Sequence, residues 1–215
     1  MTTDTDRRDT ITLAKGAHPD CDDPQRCLFE AYNWLDRGQH TDSCPPGVSR
    51  VLHTFGMRLN DALPDEARQE LKRYLPNGTS PLAGTAGDGK DETRSYIALD
   101  WLIRTYTPAW LDLTGLTEEA AALRDLRRIA DLVAAQSAGP VVRDASTKAA
   151  AAGDAAGAAA RAAAWAAARD AAWAAAGAAA GAAAWAKLAP TVAELQQSAI
   201  DLYDVLITGE WPQAA

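Results

Sequence analysis

Five of the six cysteine and histidine residues in this 215-residue chain lie between positions 18 and 44: His18, Cys21, Cys27, His40 and Cys44. His18 and Cys21 are three apart and His40 and Cys44 four apart, spacings a zinc ion can use. Four such ligands complete a tetrahedral structural site. Against zinc, there is no CxxC pair. Cys27, Cys44 and His40 are the residues a metal would use, and zinc is the only cofactor the sequence brings into question. Cys27 also stands near the start of a helix, where the dipole favours a thiolate, with His40 or His53 as a base. The plain alternative makes Cys27 a buried small residue and His18 and His40 exposed loop residues. No local signature raises the thiol reading above that one, so no catalytic residue is assigned.

A second arrangement touches phosphate chemistry. Gly84, Gly89 and Lys90 match the phosphate-cradling pattern G-x-x-x-x-G-K, but the position that should offer a magnesium-binding hydroxyl is Asp91. No hydrophobic strand leads into it, and Asp88 would turn a negative charge towards a phosphate. The stretch therefore reads as a loop, with Asp91 as the cap of the helix that follows. Glu118 with Glu119, and Asp65 with Glu66, fall in first helical turns, where acids offset the dipole.

The net charge is −8. Basic residues are interleaved with acids, so neither nucleic acid nor an anionic lipid surface is an expected partner. The N-terminus lacks an apolar stretch and reads as neither signal nor anchor. With an odd number of cysteines, it leads us to expect a cytoplasmic chain with reduced thiols.

The elements that must carry these residues are helices. Residues 1–22 lack periodicity and are expected to form a disordered tail. Asp23 and Pro24 look like the cap and first residue of a helix carrying Leu28, Ala31, Tyr32 and Leu35, and Gly38 ends it. Val48, Leu52, Phe55 and Leu59 form the apolar stripe of a second helix. A third buries Ala67, Leu71, Tyr74 and Leu75. A fourth, from about Asp91 to Tyr106, is apolar on more than one face and is expected at the centre of a bundle, broken by Pro108. A fifth starts at Thr117 and is expected to continue into Leu132. Together, residues 23–138 predict a compact helical bundle ending at Gly139 and Pro140.

Beyond that point alanine takes over. Gly153, Gly157, Arg161, Trp165, Arg169, Trp173, Gly177, Gly181 and Trp185 recur every four residues, mostly separated by three alanines. Alanine has the highest helix propensity, so a helix is expected. Four residues turn a helix by about 400°, so the marked positions spiral around the axis. Pro190 should end this helix and Thr191 to Glu194 cap a last, amphipathic one, giving an Ala-rich hairpin over 141–209 whose last helix packs along the alanine helix or back on the bundle. Alanine is too weakly apolar for a membrane span, and the uncharged run between Asp170 and Lys187 is short for one. Trp165, Trp173 and Trp185 are instead the expected interaction residues.

The phrases Cys27 to Ala31, Leu59 to Asp65, Asp91 to Leu102 and Pro108 to Leu111 resemble a family of small uncharacterised helical proteins of actinobacteria and their phages, over roughly Cys21 to Leu126. The resemblance implies a bacterial or phage origin and a cytoplasmic location. It carries no activity, cofactor or site residue.

The sequence thus predicts an all-α protein, a helical bundle followed by a long Ala-rich helix and a C-terminal amphipathic helix forming a hairpin. Its favoured role is non-enzymatic, through protein contacts and self-association to a homo-oligomer. The alternative is a small metal-binding or thiol-dependent enzyme centred on Cys27, Cys44 and His40.

Overall fold

The computed structural model describes residue 8 and residues 10–18, 24–167 and 173–212, with 155–187 by backbone alone. It is largely all-α, with one two-stranded parallel ribbon among the described residues. The chain divides into two compact units. The first comprises Met1–Ser95 and Gln196–Ala215, and the second Tyr96–Leu195.

In the first unit, β1 (Thr12–Leu13) pairs with β2 (Gln25–Arg26), Thr12 opposite Gln25 and Leu13 opposite Arg26. The free edge of β1 is satisfied by a side chain. The Gln69 amide accepts from Leu13 N at 3.0 Å and donates to Leu13 O at 2.8 Å, as a neighbouring strand would. Asn60 donates to Ala14 O at 2.9 Å. With its backbone held, the segment sinks Ile11 and Leu13 into the core at 2% and 1% exposure. Within the expected tail, residues 10–18 are thus ordered. An alternation of only three residues, Ile11 to Leu13, was too short to read as a strand.

Helix α1 (Leu28–Arg37) starts four residues later than Asp23 and Pro24 suggest, because Cys27 is its cap. Gly38 ends it at φ 66°, as expected. Helix α2 (Arg50–Ala62) is capped by Ser49 and buries Leu52 and Leu59. Helix α3 (Asp65–Arg68) tightens into a 3₁₀ segment, Gln69–Tyr74, that buries Leu71 and Tyr74.

The end of the chain completes this core. Ile200, Leu202, Tyr203 and Leu206 are all buried. Tyr203 stacks on Phe55 at 5.7 Å, meets Tyr74 edge-on at 4.8 Å, and donates its hydroxyl to Leu52 O at 3.1 Å. Gly56 makes this approach feasible. A Cβ there would lie 2.6 Å from the Tyr203 hydroxyl and 3.0 Å from a Phe29 ring carbon.

Helix α4 (Asp91–Trp101) begins in the first unit and continues in the second. It is less central than its apolar faces suggest. Ile97 is buried, while Tyr96, Leu99 and Trp101 are half-buried. Pro108 does not break the chain's helical course. A π turn, Leu102–Tyr106, leads into α5 (Thr107–Leu113), and the Thr107 amide reaches back to Leu102 O. The wider turn relieves the clash between a proline ring and the carbonyl four residues earlier.

Helix α6 (Thr117–Arg124) stops short of Leu132. Helix α7 (Leu132–Ala167) starts afresh, with Asp131 accepting from Ala134 N at 2.7 Å. Leu111, Ala120, Leu123 and Ala145 form a small core, with Ile103, Leu116, Leu126, Val141, Val142 and Ala149 against it. The boundary expected at Gly139 and Pro140 falls inside α7, and Pro190 falls inside α8 (Trp173–Thr208). A cap on one side and alanine-rich chain on the other hold α7 across a residue that costs about 3 kcal/mol in a helix interior. The turn expected at Pro190 is not formed, because α8 runs on through it; residues 168–172, between α7 and α8, lie outside the described residues.

Candidate functional site

Cys27 is built into the helix start as a cap. Its sulfur accepts from Glu30 N at 3.5 Å, and the Glu30 carboxylate accepts from Cys27 N at 2.8 Å, a capping box with a thiol in the hydroxyl's place. The same carboxylate receives His18 N and His18 Nδ1, both at 2.9 Å. Of the residues singled out from sequence, Cys27 and His18 are therefore joined, through Glu30. His18 is a partly buried ligand of Glu30 rather than an exposed loop residue.

The electrostatics oppose a nucleophile here. Burial pushes the Cys27 thiol up to about 12, and the Glu30 carboxylate adds to the rise against amide hydrogen bonds that lower it. The helix dipole does not deliver the thiolate that position alone suggests. Burial would raise Glu30 too, but the amides of His18 and Cys27 and the His18 ring hold it below its ordinary value.

Cys44 is bound up elsewhere, with its thiol directed at Val48 O at 3.4 Å. Burial raises its pKa, with Arg50 acting in the opposite direction. It borders a polar cleft of about 330 Å³ lined also by Pro46, Ser49, Arg50, Gly87 and Asp91. His53 Nε2 contacts Asp42 O at 2.8 Å, and His40 Nε2 is buried without a hydrogen-bond partner. Cys27 and Cys44 are free thiols. Among the described residues, no three His, Cys, Asp or Glu side chains gather as metal ligands. Cys21 lies outside the described residues.

The phosphate-loop lookalike turns out to grip a helix end. Arg94, one turn into α4, is fully buried. It bonds Asp88 at 2.6 Å and 2.8 Å and Asp91 at 3.1 Å, and donates Nε to Leu206 O at 2.8 Å and Nη2 to Ile207 O at 3.3 Å. Lys90 donates to Thr208 O at 2.7 Å. The last carbonyls of a helix lack intrahelical partners and carry its negative dipole end, so two cations suit them. Asp91 also accepts from Ser49 Oγ, tying the start of α2 to the same group. Lys90 and Asp88 are engaged with protein, not poised for a phosphate.

Comparison with protein-family models, curated proteins and solved structures finds no match.

Sequence reasoning missed Arg94. The spacing of Asp91 and Arg94 was a visible signal, because residues three apart share a helix face, while Asp88 reaches Arg94 from the loop before α4. Their destination at Leu206 and Ile207 was not. In the second unit, Ile103, Thr107, Leu111, Leu123, Val142 and Ala145 line an apolar groove of about 250 Å³. Trp165, Trp173 and Trp185 stand on α7 and α8, but their side chains lie outside what is described. No helix among the described residues is long and apolar enough to cross a membrane.

Proposed function

We propose that this is a non-enzymatic helical protein that acts through protein contacts, by self-association along the segment from about Val141 to Ile207. The observation that carries this reading is the length of the helices formed by the alanine-rich sequence. Helices α7 and α8 each have 36 residues, about 54 Å at 1.5 Å per residue. Helices α5 and α6, whose residues pack against Val141, Val142, Ala145 and Ala149 of α7, have only 7 and 8 residues, about 10 Å and 12 Å long. They are too short to cover the length of α7. Small side chains let helix backbones approach closely. Each tryptophan added at a repeat position contributes roughly 2–3 kcal/mol when buried.

Because the repeat spirals, Trp173 and Trp185, both on α8, stand about 120° apart around a regular helix, and one neighbour does not cover both. A second copy supplies the remaining surface. The resemblance to proteins of actinobacteria and their phages, and the free thiols, support a cytoplasmic setting for this assembly.

A chain cut at Gly139 is no test, because it also removes Tyr203 from the first unit. Light scattering on the full chain and on a Trp165→Ala/Trp173→Ala/Trp185→Ala variant is the better experiment. The full chain should be oligomeric at micromolar concentration, and the variant should dissociate at least about 100-fold more readily. A full chain that stays monomeric at high micromolar concentration would overturn the proposal.

A further inference from the structure

We infer that self-association proceeds by exchange of the chain's last segment, so that Gln196–Thr208 of one copy seats in the first unit of a second copy. This rests on the self-association reading and names its partner and mode. The segment is a plug with a tailored seat. Its tertiary hydrogen bonds run to Ala62, Leu52, Tyr74, Arg73, Arg94 and Lys90, each more than 100 positions away in sequence. Tyr203 fills the space left by Gly56, and Arg94 and Lys90 hold the helix end. Everything joining plug to seat along the chain passes through the second unit, Tyr96–Leu195.

The contacts themselves do not distinguish which copy supplies the plug, so exchange makes the same bonds at little cost beyond chain closure. Closure favours a chain's own plug only through effective concentration, which falls as the connection lengthens. Copies associated along α8 hold their plugs, themselves the ends of α8, at high local concentration. Alanine-rich association and plug exchange are then one event.

The Arg73–Asp204 pair, at 2.6 Å and partly exposed on both sides, allows a test in full-length chains. Arg73→Asp and Asp204→Arg each place like charges together within a copy. In an exchanged heterodimer both seats regain an opposite pair. The aspartate introduced in the first variant meets the arginine introduced in the second, and the native Arg73 and Asp204 meet in the other seat. Co-refolded one to one and weighed by native mass spectrometry, the variants should give a ratio of heterodimer to total homodimer at least about fivefold above the statistical one to one. If neither variant folds alone, folding of the mixture supports exchange and its failure to fold overturns it. A wild type that associates, with a statistical mixture of variants, overturns exchange but leaves self-association standing. A monomeric wild type overturns both.

Discussion

Arg94 carries more of the first unit's polar organisation than any other side chain described. A guanidinium with no solvent exposure is tolerable only when its donors are paired, and here they reach two carboxylates and the closing carbonyls of α8. Arg94→Met keeps much of the volume but orphans those acceptors. It should cost about 3 kcal/mol in urea unfolding, the low end for a broken buried pair because Asp88 and Asp91 retain contact with water. The same change should alter the acid response. The Arg94 hydrogen bond holds Asp88 below its ordinary value of 3.8. A carboxyl depressed in the folded state contributes stability fully above that ordinary value, and loses it as pH falls through the lower folded one. Wild type should therefore lose stability more steeply than Arg94→Met as pH is lowered below about 4. Parallel curves of urea midpoint against pH would show that Asp88 gains nothing from the arginine. None of this was legible from the GxxxxGK pattern, which shows which residues stand together but not that their target lies more than a hundred residues away.

At the scale of elements, caps and stripes were legible wherever the chemistry was local. Gly38, the stripe of α2 and the burial of Leu71 and Tyr74 all follow from it. Starts and stops that depend on neighbours were not. Cys27 takes the capping place because Glu30 closes the box, and a thiol is seldom considered for that role. Pro108, Pro140 and Pro190 all stay within helical chain, Pro108 behind a π turn that widens the backbone ahead of it. Gly56 is a further case: nothing in the stripe of α2 reveals that it must lack a side chain. Gly56→Ala gains helix propensity, yet it sets a methyl 2.6 Å from the Tyr203 hydroxyl and should destabilise by about 1–3 kcal/mol. Adding Tyr203→Phe should recover part of that loss, giving a favourable coupling of about 1 kcal/mol in a double-mutant cycle. Strict additivity would mean that the two side chains do not compete for the same space.

For the molecule as a whole, the decisive feature is that the first unit is discontinuous. Composition places the natural break at Gly139, where alanine begins, and leaves open whether the last helix packs on the alanine helix or back on the bundle. Packing decides for the first unit, because Ile200, Leu202, Tyr203 and Leu206 recur at helical spacing and their burial belongs with α2 and the 3₁₀ segment. Each of these side chains contributes about 1.5–3 kcal/mol on burial. Four together amount to roughly 6–12 kcal/mol, comparable to the entire stability of an ordinary domain. A chain ending at Leu195 should therefore lose the cooperative unfolding of the first unit, with Arg94 left facing an empty seat. Its alanine-rich sequence should keep much of the helical circular dichroism, because that helicity comes from propensity rather than from this core. Urea titration followed by hydrogen exchange at α1 and α2 separates the two contributions. Protection there should fall to near the level of exposed amides in the shortened chain, while full-length protein keeps it. Unchanged protection in α1 and α2 would mean that the first unit is stable without the segment packed into it, and that composition placed the boundary better than packing does.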